Sequence, residues 1–338
     1  MKLYTCTPNR DNPLRVYGLN PYYDGEGFSK CHKEILEKIP RVEGLGSRSC
    51  GGRICFRTNS KSITLRMTLK YVCYDIGMST FACSSADVYI GPRPTAYFAG
   101  LLTPSGEMRE KENVTAERTF YKSAEMEDIT VMLPRNETLT AFSVEIEDEA
   151  ELCAPTPYRN ERPVVFYGSS ITEGGCPTRI GCNYVSLLSN RLNIDVLNYG
   201  FSGNARGELQ FADYIIEQNP SLFVYDYDHN APTPQWLADT HAPFYHRIRK
   251  ALPNLPIIMM TRPDFVCDED AEQRRAIIRE TYEDAVSMGD KLVRFINGRN
   301  FFPDQRRSEC SVDTIHPNDT GFAMMADAVA PYIMEFLF

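Results

Sequence analysis

Four short segments carry side chains whose types and spacing suit nucleophilic chemistry. The first, Gly168-Ser-Ser-Ile-Thr-Glu-Gly-Gly175, sets two hydroxyls in a turn of small residues beside exposed backbone N–H groups, a place for a nucleophile or for an anion. It is not a Walker-type phosphate loop, because Gly168 and Gly174 enclose five residues and no Lys-Ser/Thr pair follows. Asn198-Tyr-Gly-Phe-Ser-Gly-Asn204 has two glycines that let a backbone approach a ligand closely, and Asp226-Tyr-Asp-His-Asn230 gathers carboxylates, an imidazole and an amide. In Asp313-Thr-Ile-His316 an acid stands three residues before a histidine, so one turn can hold both. A carboxylate that orients an imidazole is the base half of a catalytic triad, and a serine hydroxyl is a weak nucleophile until such a base takes its proton. Ser169 and Ser170 compete for that role, and a serine followed by Glu173 at this spacing also reads as a helix cap.

The elements that must position these segments follow from hydrophobic spacing. Val164–Tyr167, Val196–Tyr199, Leu222–Tyr225, Ile257–Met260 and Leu292–Ile296 are short apolar runs alternating with helix-length segments, which predicts a five-stranded parallel sheet covered on both faces. In the helix expected over 271–288, Ala271, Ile278, Tyr282 and Ala285 share one face. The first three candidate segments each follow one of the first three runs, at the strand ends where parallel sheets carry their functional loops. Residues 1–150 read as β structure: Ile63, Leu65, Met67 and Leu69 alternate with polar neighbours, as do Ile129/Val131/Leu133 and Phe142/Val144/Ile146. Gly91-Pro-Arg-Pro94 and Leu133-Pro-Arg-Asn136 punctuate them as turns, and the natural container is a β-sandwich with one wet and one dry face per sheet. The proline-rich stretch Cys153–Pro163 reads as a linker, dividing the chain into a β-sandwich accessory domain over 1–155 and a catalytic domain over 156–338.

In that order the four segments resemble the blocks of the GDSL/SGNH family of serine esterases: Gly168-Ser169-Ser170-Ile171, Ser202-Gly203-Asn204, the loop ending in Asn230, and Asp313 to His316. The resemblance covers roughly residues 160–338 and implies an α/β fold, the flavodoxin-like SGNH α/β/α sandwich with a five-stranded parallel sheet. It favours Ser170 as nucleophile, because Ile171 then falls on the family's apolar position. It makes His316 general base and then acid, Asp313 the residue holding the imidazole tautomer, and the N–H groups of Ser170 and Gly203 with the Asn230 amide the oxyanion hole. Gly168-Ser-Ser-Ile-Thr-Glu-Gly is closest to a subgroup preceded by an all-β, jelly-roll-like sandwich with a Gly-x-Asp-Leu-Tyr signature. Ser85-Ala-Asp87-Val-Tyr89 is a degraded match, and Thr314 stands where many relatives carry glycine.

The activity so implied is removal of a short acyl group, such as acetyl, from a carbohydrate or other small ester through an acyl-enzyme, with no cofactor and no metal. It should rise as His316 loses its proton and be indifferent to chelators. Trp236, the chain's one tryptophan, and Arg179 are candidates for the substrate pocket; Arg206, Arg306-Arg307 and Phe301-Phe302 lie near the blocks as well. A catalytically silent carbohydrate-binding protein is the alternative, with Tyr17-Gly-Leu-Asn-Pro-Tyr-Tyr23 available for sugar stacking. A metal-dependent phosphoesterase using Asp226, Asp228 and His229 would need more ligands on other loops than five histidines without a Gly-Asp-x-His or Gly-His-x-His motif provide.

Composition sets the outer limits. A chain of 338 residues suggests two domains, and 43% hydrophobic with 24% charged residues is an ordinary globular balance. Runs such as Pro256–Met260 fall far short of the roughly 20 apolar residues that cross a bilayer. With net charge −9 and no basic run longer than Arg274-Arg275 or Arg306-Arg307, nucleic acid and anionic membranes are poor partners. The expected partner is a small ester or acylated carbohydrate. Eleven cysteines without a C-x-x-C read as reduced, mostly buried thiols, and Met1–Pro13 has no apolar run of the signal-peptide kind, so a cytoplasmic location is expected.

Overall fold

The computed structural model describes residues 1–7, 12–20, 27–73 and 75–338. Of the aromatic stretch Tyr17–Tyr23, residues 21–23 lie outside the described residues. The first half contains β1 (Lys2–Thr5), β2 (Arg15–Tyr17), β3 (Arg53–Thr58), β4 (Ser62–Tyr71), β5 (Ala86–Ile90), β6 (Tyr97–Leu102), β7 (Glu112–Tyr121), β8 (Glu127–Met132), β9 (Leu139–Ile146) and β10 (Leu152–Cys153). The second half contains β11 (Val164–Gly168), β12 (Val196–Gly200), β13 (Leu222–Asp226), β14 (Ile257–Met260) and β15 (Val293–Ile296).

The second-half strands are all parallel, in the order β12-β11-β13-β14-β15. This is the flavodoxin-like 2-1-3-4-5 order, whose switch point lies at its first strand. Along β11, Val164 and Phe166 enter a core with Tyr184, Val185 and Leu188 of the helix Tyr184–Leu192 and Phe322, Met325 and Val329 of the helix Asp319–Leu337. Val165 and Tyr167 enter the opposite core, against Phe211 and Ile215 of the helix Leu209–Glu217, Phe244 and Ile248 of Pro234–Ala251, and Ile278 and Ala285 of Glu269–Ser287. Both faces are dry, which is why these strands read as unbroken apolar runs.

The first half folds as two antiparallel sheets, β1-β9-β4-β7 and β10-β3-β8-β5-β6, with β2 also beside β3. Their inner faces share Ile54, Phe56, Ile63, Leu65, Met67, Leu69, Val88, Val131, Phe142 and Val144. One expectation needs correcting: the outer face of β3, β5 and β8 is not wet. Arg53, Cys55, Asp87, Tyr89, Thr130 and Met132 are buried there. Arg53 donates to the Asp195 carboxylate and the Val196 carbonyl, while Tyr89 and Met132 pack with Ile180. That face is dry because the second half covers it.

The first half is also not wholly β. In the helix Lys33–Lys38, Ile35 and Leu36 join Phe211 and Ile215 in a core of the second half. The 153–163 stretch has no regular element beyond Cys153, yet it is pinned: Thr156 donates twice to Asp128, and Arg93 donates to the Thr156 carbonyl at 2.6 Å and lies over the Tyr158 ring. All eleven thiols are free, and Cys267 alone is exposed. Among the described residues no helix is long and apolar enough to cross a membrane.

Candidate active site

β11 ends at Gly168 and the chain turns at once into the short helix Ser170–Glu173. The adjacent serines divide the work. Ser169 is the N-cap, its side chain accepting the Ile171 N–H at 3.2 Å. Ser170 Oγ is thereby left for another partner, and it lies 2.8 Å from His316 Nε2. His316 Nδ1 lies 2.7 Å from Asp313 Oδ2, and Asp313 Oδ1 accepts the N–H groups of His316 at 2.7 Å and Ile315 at 3.0 Å. Burial pushes the Asp313 carboxyl up, but these donors outweigh it and hold it below the usual carboxylate range. An ionised carboxylate only accepts, so Nδ1 carries the imidazole proton and Nε2 faces Ser170 as an acceptor. Thr314, inside this turn, has φ +68°, the left-handed region that glycine adopts freely and a β-branched residue does not. Ser311 Oγ holds its N–H at 2.8 Å.

Ser170 and His316 open on a cavity of about 470 Å³ that Gly203, Asn230, His229 and Asp313 also line. β12 delivers the Phe201–Asn204 turn to it, and β13 delivers Asn230 through the single turn Asp228–Asn230. Asn230 Nδ2 donates to the Phe201 carbonyl at 2.7 Å, which fixes the amide plane while leaving its second hydrogen for the cavity. Gly203, at φ +69°, has open space where a side chain would stand. His229 is held at about 4, by burial first and by Arg262, His316 and Arg274 after it, so its imidazole is neutral at neutral pH.

Asp226 and Asp228 face separate protein donors rather than one another. Asp226 bonds Thr172 and, at 3.5 Å, the Tyr184 hydroxyl; Asp228 accepts the N–H groups of His229 and Arg262. Burial raises both, Asp228 to about 6. Among the described residues no three His, Cys, Asp or Glu side chains are grouped to hold a metal.

Two candidates for the substrate pocket stand elsewhere. Trp236 is 42% exposed at the start of its helix, its indole N–H donating to the Arg206 carbonyl at 3.0 Å, and it does not line the cavity. Arg179 turns away to Asp87 and the Tyr89 hydroxyl, because the first half presents a buried carboxylate there. Phe301, Phe302 and Arg307 line a different cavity of about 700 Å³, and Arg306 pairs with Glu309.

Sequence reasoning left open whether the first half binds ligand itself or shapes one wall of the cleft, and it assigned no residue to that wall: Asp75, Ile76, Gly77, Met78 and Arg135 line the same cavity as Ser170. It also missed Glu173, which is fully buried between Lys30 Nζ at 3.2 Å and Arg135 at 2.9 Å, with Arg48 at 3.9 Å. Burial pushes its carboxyl up, but the three cations outweigh that and hold it at about 2. The one signal was an acid inside an otherwise small and apolar turn; Arg135 sat in a segment that reads only as a turn.

Residues 161–334 match the model of the GDSL-like lipase/acylhydrolase family, and residues 24–152 match that of the N-terminus of SGNH-hydrolase-type esterases bearing the Gly-x-Asp-Leu-Tyr signature. A Bacteroides ovatus structure described as a GDSL-like lipase superposes with TM-score 0.84 at 24% identity, over 99% of this chain and 98% of that one. The salicylyl-acyltransferase of a tetracycline biosynthetic pathway superposes at 0.78 with 17% identity, over 98% and 97%. A family two carbohydrate esterase from Clostridium thermocellum, solved with cellohexaose, gives 0.65 with 15% identity, over 95% and 98%. At these identities the likeness is one of fold. No curated protein matches the chain.

Proposed function

We propose, for a chain that belongs to the GDSL-like lipase/acylhydrolase family and is an ester hydrolase, that Ser170 is the nucleophile of an acyl-enzyme mechanism releasing a short acyl group from a carbohydrate or other small ester. The observation that carries this reading is the continuous relay from Ser170 Oγ through His316 to Asp313, at 2.8 and 2.7 Å. His316 Nε2 takes the hydroxyl proton as Oγ bonds to the ester carbonyl carbon. The negative oxygen so formed is met by the N–H groups of Ser170 and Gly203 and by the Asn230 amide. Collapse of that intermediate breaks the ester C–O bond, and His316 returns the proton to the departing alcohol. Water then attacks the acyl-serine, with His316 again as base, releasing the acid and restoring Ser170. Asp313 stays a carboxylate throughout and stabilises the imidazolium.

The sugar-ester preference draws on the carbohydrate esterase among the structural neighbours, and a cavity of about 470 Å³ supports a small substrate. Acetate release from acetylated xylo- and cello-oligosaccharides, run beside p-nitrophenyl esters of increasing chain length, tests it. Highest kcat/KM on the acetylated sugars is expected. Turnover confined to longer acyl chains with none on acetylated sugars would overturn that substrate class and leave the serine mechanism standing.

A further inference from the structure

We propose that Arg135, supplied by the first-half β domain, is a positioning residue for hydrolysis: through Glu173 and Ser202 it sets the direction of the Gly203 N–H that meets the oxyanion. This inference rests on the role given to Gly203 above. A glycine at φ +69° with open space around it has no side chain to hold its amide, so the Ser202–Gly203 peptide is held at its carbonyl by Asn204 Nδ2, at 2.7 Å, and otherwise through Ser202. Ser202 is fixed from two sides. Its N–H donates to Glu173 Oε2 at 3.2 Å, and its hydroxyl is shared between Glu173 Oε2 and the Arg135 guanidinium, each at 2.5 Å.

Glu173 is itself oriented by cations from the other half of the chain. Arg135 donates to Oε2 at 2.9 Å, and Lys30 reaches Oε1 at 3.2 Å and the Gly200 carbonyl at 2.6 Å. All three side chains are buried, where a charged hydrogen bond is strong and a lost partner is costly. The other end of Arg135 reaches Met78 Sδ at 3.2 Å and Asp75 at 3.6 Å, so one guanidinium joins the cavity wall of the β domain to the turn carrying Gly203. Its Nε is buried without a partner. A buried donor left unpaired is rare, and here it accompanies a guanidinium whose remaining nitrogens are committed to the turn and the wall. Other cross-domain contacts, Arg53 to Asp195 and Arg179 to Asp87, join the halves without touching the cavity, so the joint does not depend on Arg135 alone.

The test is steady-state p-nitrophenyl acetate hydrolysis by the full chain and by Arg135→Met, Arg135→Lys, Ser202→Ala and Ser170→Ala, each checked for folding by near-UV circular dichroism. A misdirected donor should cost less than a deleted one, so kcat is expected to fall about 10- to 100-fold in Arg135→Met and about 3- to 10-fold in Ser202→Ala, with KM nearly constant. Arg135→Lys should recover part of the loss, and the pH at half-maximal activity should not move, because the His316–Asp313 pair is untouched. Ser202→Ala buries no new charge and decides the matter if Arg135→Met does not fold. Wild-type kcat in folded Ser202→Ala and Arg135→Lys, or a raised KM with kcat intact, would overturn the positioning role. Turnover that survives Ser170→Ala would overturn the serine reading beneath it, and the proposal with it.

Discussion

At the scale of single residues, the site turns on neighbours with unlike tasks. Ser169 and Ser170 differ in nothing a composition can show, yet one satisfies a helix N–H and the other points at His316. The spacing Asp313-x-x-His316 made the relay legible because three residues of turn suffice to bring carboxylate and imidazole together. Nothing in the spacing told where Trp236 or Arg179 would point, since that depends on partners distant in the chain, Arg206 for one and Asp87 for the other. Asn230→Ala removes one donor of the proposed oxyanion hole, so kcat should fall by roughly 10²–10³, about 2.7–4 kcal/mol, with the thermal midpoint little changed; unaltered kcat would remove Asn230 from the site. Thr314 holds a left-handed conformation that disfavours a β-branched side chain by roughly 1–2 kcal/mol. Glycine there lacks that strain but gives the unfolded chain more freedom, so Thr314→Gly should keep its activity and melt no lower than wild type. A lower midpoint, or lost turnover, would show that the threonine side chain is needed in the turn.

Among elements, the short helix Ser170–Glu173 links catalysis to stability, because its first residue faces the cavity and its last carries the buried carboxylate. Gly200 at the end of β12 lies so close to it that an added Cβ would meet the Glu173 nitrogen at 2.1 Å. Glu173 is held at about 2, well under its unfolded value near 4.3, so its contribution is fully present above pH 4.3 and is lost as pH falls toward 2. Glu173→Gln should therefore lower stability at neutral pH and flatten the acid limb of the stability curve in that window. An unchanged acid limb in urea titrations at pH 2–5 would contradict the assignment. The parallel strands were readable from sequence because burial on both faces leaves unbroken apolar runs, as in Ile257–Met260. Alternation likewise marked β4, whose Ile63, Leu65, Met67 and Leu69 are buried. The dry outer face of β5 and β8 was not readable, because Asp87 and Thr130 look like solvent-facing residues until the other half covers them. The helix Lys33–Lys38 was too short to show a helical period.

For the molecule as a whole, the two halves share a core and a cavity, so the β domain is part of the enzyme rather than an appendage. Ile35 and Leu36 complete the apolar layer over Phe211 and Ile215, and Asp75–Met78 with Arg135 complete the cavity wall. Deleting residues 1–155 should expose that layer and strand Glu173 without its cations, leaving a fragment that aggregates and does not turn over esters; a soluble, fully active fragment would contradict the composite site. Labelling of the intact chain with a fluorophosphonate probe, mapped by peptide mass spectrometry, tests whether Ser170 is an activated nucleophile without knowledge of the substrate. A single adduct on Ser170 is expected, absent from Ser170→Ala and strongly slowed in His316→Ala. A folded wild-type chain that takes no label, or takes it on another serine, would contradict that role for Ser170.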